Sequence, residues 1–103
     1  MKLKWSPLAV QRAAEAATRI AQDKPGAATK WLGLLFDRVE RLGKFPESGR
    51  MIPEVGDPRY REVLYGNYRV LYRITSSLVE ILTIRHVRRQ LDFAELSDEA
   101  RTD

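Results

Sequence analysis

The most regular run of apolar positions lies in the first half of the chain. Ala28, Trp31, Leu32, Leu35, Val39 and Leu42 recur at helical spacing, while Lys30, Asp37, Arg38 and Arg41 fall elsewhere on the wheel. This predicts an amphipathic helix starting near Pro25, with Gly43 placed where a helix-terminating C′ glycine is expected. Upstream, Ala9, Ala13, Ala16, Ala17 and Ile20 share one face of an earlier, Ala-rich helix. Ser6-Pro7 marks its start, because serine caps helix N-termini and proline is tolerated in the first turn. Asp23-Lys24-Pro25-Gly26 separates the two helices, and so short a break predicts an antiparallel hairpin. Two helices cannot enclose a core alone. They need a sheet.

Period-two alternation supplies one. Met1, Leu3 and Trp5 alternate in a short first strand. After a Gly- and Pro-rich loop over residues 44–58, strands are predicted over residues 59–65, 68–74 and 78–85. Gly66-Asn67 and Ser76-Ser77 provide the tight turns between them. The order is β-α-α-β-β-β, an α+β fold with the helical hairpin packed on one face of a small, mostly antiparallel sheet. In the middle strand Tyr68, Val70, Tyr72 and Ile74 occupy one face, and Arg69 and Arg73 the other. That second face is expected to be partly open, with Arg61 or Glu62 beside the arginines, depending on register.

The 103 residues allow one domain, placed at residues 1–92, followed by an acidic tail at 93–103. No apolar run approaches the roughly 18 residues of a membrane helix, and Trp5, Ser6 and Pro7 interrupt any signal-peptide core. A cytoplasmic protein is expected. The absence of cysteine excludes disulfides and thiolate metal sites, and a single histidine argues against zinc, so no metal or cofactor is implied.

Charge adds more by location than by its total of +4. From Arg50 to Arg89 all eight basic residues are arginine, against Glu54, Asp57, Glu62 and Glu80. Arginine's planar fork suits phosphate or carboxylate better than lysine does. Beyond Arg89 the sign reverses, with Asp92, Glu95, Asp98, Glu99 and Asp103 against Arg101. "ILTIRHVRR" (residues 81–89) closes the basic half and holds His86, the only histidine.

"WSPLAV", "FPESGR", "YREVLYGNYRVLYRI" and "VEILTIRHVRR", in that order, resemble the RelE/ParE superfamily of toxins from bacterial type II toxin–antitoxin modules. The resemblance spans residues 3 to about 92 and rests on the combination, since no single piece is specific. It implies a basic α+β toxin held inactive by a cognate antitoxin. One branch, similar to RelE, cleaves messenger RNA on the ribosome. The other, similar to ParE, is not a nuclease but inhibits DNA gyrase and so blocks replication and growth.

Cleavage at a 2′-hydroxyl needs a base, an acid for the leaving oxygen, and cations for the phosphate. By resemblance, Arg69 matches the phosphate clamp of the ribonuclease branch, and His86 or Arg88 matches its basic strand exit. Glu62 offers a carboxylate base. The tyrosine that commonly ends that site is missing, because the nearest aromatic is Phe93, which has no hydroxyl. "RYREVLY" also lacks the lysines common in that branch. These departures favour the ParE branch, a non-enzymatic gyrase inhibitor. The alternative is a ribosome-dependent endoribonuclease using Arg69, His86, Arg88 and Glu62.

On the favoured reading no residue is catalytic. Arg61, Arg69, Arg73, Arg85, His86, Arg88 and Arg89 form a surface for the antitoxin or the target. Each also has a plainer reading: Arg69 pairs with Glu62 or Glu80, His86 bonds a backbone carbonyl, and Trp31 is core.

Overall fold

The computed structural model describes residues 1–97. Strand β1 (Lys2–Trp5) leads into helix α1 (Pro7–Asp23), helix α2 (Pro25–Lys44), strand β2 (Arg50–Met51), and strands β3 (Tyr60–Tyr65), β4 (Tyr68–Ile74) and β5 (Leu78–His86). Short 3-10 turns occupy Pro46–Ser48 and Phe93–Leu96. The α+β fold and the helical hairpin are as expected. The two-residue strand β2 is an addition, formed inside the loop where the sequence shows no alternation.

Ser6 does two jobs at the β1–α1 junction. Its hydroxyl accepts the Ala9 N–H at 2.9 Å as a helix cap and donates to the Leu82 carbonyl at 2.8 Å. Its own N–H donates to the Ile81 carbonyl, so α1 leaves the sheet at a fixed point. Buried Ala9, Ala13, Ala16 and Ala17 let α1 pack closely, and Ala28, Leu35, Val39 and Leu42 form the buried stripe of α2. Lys24 alone separates the helices.

Gly43 does not end α2, which continues through Lys44. The amino terminus donates to the Gly43 carbonyl at 2.6 Å, and a Cβ on Gly43 would lie 2.9 Å from the Met1 carbonyl oxygen. Glycine is needed here for close approach of β1, not for a left-handed cap.

The sheet order is β1-β5-β4-β3-β2, with β1 parallel to β5 and the other pairs antiparallel. In the β3–β4 turn only Gly66 takes a positive φ, as a type II′ turn requires of its first central residue. Val63, Val70, Tyr72, Val79, Ile81 and Ile84 meet the helices in the main core. Register places Glu62, not Arg61, beside the β4 arginines: Glu62 pairs with Leu71, Tyr60 with Arg73 and Leu64 with Arg69. Between Leu71 and Tyr72 the β4–β5 ladder shifts, so Leu82 and Thr83 both turn away from the helices.

The face away from the helices is less open than expected. Ile52, Leu71, Leu82, Leu91 and Leu96 form a second buried cluster, with Val55 and Tyr60 packed against it. The loop before β3 and the segment after β5 thus cover the middle of the sheet.

Candidate docking surface

Around the second cluster the arginines of the sheet meet carboxylates of the same chain. Glu62 is 1% exposed and accepts from Arg69 Nε at 2.5 Å and Arg50 Nε at 2.6 Å. Arg69 turns its other nitrogens to Glu54, at 2.9 and 3.0 Å. The hydrogen bonds that Arg69 donates to Glu54 first, and to Glu62 after it, raise its pKa against the opposing pull of burial. The same contact holds the Glu54 carboxyl below its ordinary value. Arg73 pairs with Glu80, its neighbour across β4 and β5.

Arg85 pairs with Glu95, which also accepts from the Thr83 hydroxyl at 2.5 Å and from Arg12 of α1. The Glu95 hydrogen bond is the main reason the Arg12 pKa is raised. Glu95 therefore ties the segment after β5 to both the sheet and the helical layer. Sequence reasoning missed Arg12, Glu54 and Glu95. The one available signal was the acidic run after Arg89.

Arg61 lies apart. It belongs to the helix-side set of β3 and donates to the Pro58 and Gly49 carbonyls at 2.9 and 3.0 Å. His86 is also on the helix side, opposite Tyr68, with the two rings edge to face at 5.3 Å. Its Nδ1 accepts the Arg88 backbone N–H at 3.1 Å, and its carbonyl accepts the Arg89 N–H. Instead of bonding a backbone carbonyl, the ring organises the turn that follows it. Arg88 and Arg89 stand on that turn, exposed.

The residues named from sequence thus fall into three groups. Arg69, Arg73 and Arg85 share the face away from the helices but are bonded to Glu62, Glu54, Glu80 and Glu95. Arg61 sits at the β2–β3 edge. His86, Arg88 and Arg89 gather at the exit of β5.

"FPESGR" has a structural explanation. The Tyr72 hydroxyl donates to the Pro46 carbonyl at 2.6 Å and accepts the Gly49 N–H at 2.9 Å. A Cβ on Gly49 would lie 2.5 Å from that hydroxyl and 2.6 Å from the Glu62 carbonyl oxygen. The motif is the segment that β3 and β4 clamp before Arg50 reaches Glu62.

Among the described residues no helix is long and apolar enough to cross a membrane, and no group of three or more acidic or histidine side chains is arranged to hold a metal.

A helical hairpin packed on a five-stranded mixed sheet is the architecture of the ParE-like toxins. Residues 3–91 match the family model described as the ParE toxin of type II toxin–antitoxin system, parDE. The chain belongs to this family. A chain from the solved structure of the chromosomal ParDE TA system from P. aeruginosa has the same fold, with a TM-score of 0.72 and 20% identity, over 84% of this chain and 95% of that one. No curated protein matches the sequence.

Proposed function

We propose that this toxin inhibits DNA gyrase, halting replication in the cytoplasm, and is neutralised by a cognate antitoxin. The observation that carries this reading is the engagement of Glu62 and Arg69. A general base must reach a substrate proton, and a phosphate clamp must turn its fork to the substrate. Glu62 is enclosed by two arginines, and the Arg69 side chain is 11% exposed with both edges of its guanidinium on carboxylates. Phe93 brings no hydroxyl to the β5 exit. The group matching an RNA-cleaving set is neither free nor assembled, which favours a docking protein over a nuclease.

The exposed arginines at the β5 exit, Arg88 and Arg89, are the part of the basic surface best placed to meet another macromolecule. An antitoxin is supported by the family and by the ParDE assembly of the structural relative. Phe45, 60% exposed, lies with Pro46 and Ile74 along an open apolar groove beside the end of α2, suited to a segment that folds on binding.

The test is pulse labelling after induced expression. Thymidine incorporation should fall before amino-acid incorporation does, and co-expressed antitoxin should restore both. A primary fall in amino-acid incorporation, with new messenger ends, would favour the ribonuclease reading instead.

A further inference from the structure

β1 stops pairing with β5 at Trp5 and Ile81, so the last part of β5 lies directly under α1. There the two elements border a half-open cavity of about 130 Å³. Arg12 and Arg19 line it from α1, Arg85 and His86 from β5, and Arg89 from the turn beyond. Arg12 and Arg19 stand about two helical turns apart and so face the same way.

We propose that this cavity binds a terminal phosphate, the dianion of a phosphate monoester. Four arginines line it, and two carboxylates counter them: Glu15, itself a lining residue, on Arg12, and Glu95 between Arg12 and Arg85. No ion pair joins Arg19 or Arg89 to another described residue. The surplus is two positive charges, which a phosphate monoester carries in opposite sign near neutral pH, since its second pKa is about 6. A carboxylate, or a phosphodiester in a nucleic-acid backbone, would neutralise only half of it.

Arg12 and Arg85 are held by Glu95, while Arg19 and Arg89 are exposed. Arg85, one of the lining residues, has its Nε buried without a hydrogen-bond acceptor. His86 Nδ1 is already an acceptor for the Arg88 N–H, so the neutral ring carries its proton on Nε2 and has one N–H left to give. The Arg89 backbone is anchored by its N–H on the His86 carbonyl, which places the residue at the cavity. Arginine forks grip a phosphate through paired bonds, which suits them to this ligand better than lysines. The proposal requires neither target nor antitoxin, and it shares only Arg89 with the docking turn.

The test is calorimetric titration of the whole protein with inorganic phosphate, against chloride at equal ionic strength. Saturable binding is expected, weakened about tenfold or more by R19A/R89A, which removes charge-assisted bonds from exposed side chains. R41A, an exposed arginine on α2, should bind as the wild type does, and circular dichroism should show all variants folded. Adenosine monophosphate and a 5′-phosphorylated oligonucleotide then identify the source as nucleotide or nucleic-acid end, and binding by either supports the site. The proposal is overturned if phosphate gives no saturable heat, if R19A/R89A binds unchanged, or if a 5′-hydroxyl oligonucleotide binds as well as its phosphorylated form.

Discussion

Arg69 and Glu62 are joined Nε to Oε1 at 2.5 Å on the sheet face away from the helices, and Glu62 is almost wholly enclosed. A pair in such a position holds the fold more than it serves chemistry. Removing one member leaves a buried charge without its partner, which costs about 3–5 kcal/mol. Arg69→Ala, which leaves the buried Glu62 with only the exposed Arg50, should therefore lower the urea midpoint by that equivalent. Arg50→Ala, whose side chain is 65% exposed, should lose only about 0–1 kcal/mol. Equal losses from the two variants would contradict this assignment.

Tyr72 and Gly49 provide a second test of the same framework. Tyr72→Phe leaves the Pro46 carbonyl and the Gly49 N–H without their partner and should cost about 1–3 kcal/mol. Gly49→Ala forces a Cβ against backbone oxygen and should cost about 1–3 kcal/mol by overpacking. Thermal melts of both variants decide it, and a neutral Gly49→Ala would show that the segment is not clamped.

The pH dependence has a definite sign at each end. Hydrogen bonding to Arg69 lowers the Glu54 carboxyl below its ordinary 4.5 in the folded state. Its contribution is fully present above 4.5 and is lost as pH falls through the lowered folded value. Burial raises the Tyr72 phenol above its ordinary 10.0, so that contribution is present below 10.0 and lost as pH rises through the raised value. Urea midpoints across pH should show a shallower acid limb in Glu54→Gln and a shallower alkaline limb in Tyr72→Phe. Limbs identical to the wild type would remove these groups from the account.

How much of this was legible in the sequence depends on the kind of signal. The α2 stripe from Ala28 to Leu42 and the alternation in β4 are local periodicities, and both elements form where they predict. Gly43 was misread because its reason is tertiary: the first residue of the chain lies against it, 42 positions away. β2 was invisible because two residues cannot display a period. The second cluster was invisible too, since Ile52, Leu91 and Leu96 come from a loop and a terminal segment with no repeat. The basic character of the β5 exit was plain from composition, but not which arginines are engaged. That depends on Glu54 and Glu95, and Glu95 meets Arg12 across 83 positions.

The distinction between engaged and exposed arginines should separate stability from activity. Arg88 and Arg89 lie on an exposed turn, and reversing their charge should change stability by no more than about 0.5 kcal/mol. On the docking account, R88E/R89E is folded yet loses toxicity on induction. A folded R88E/R89E variant with full toxicity would move the docking surface elsewhere.

The central claim is that the toxin acts on gyrase without cutting RNA. It is tested most directly by adding purified toxin to purified gyrase and relaxed plasmid and following ATP-dependent supercoiling. The account predicts dose-dependent loss of supercoiling, reversed when antitoxin is added in advance and absent with R88E/R89E. Undiminished supercoiling at saturating toxin would contradict it.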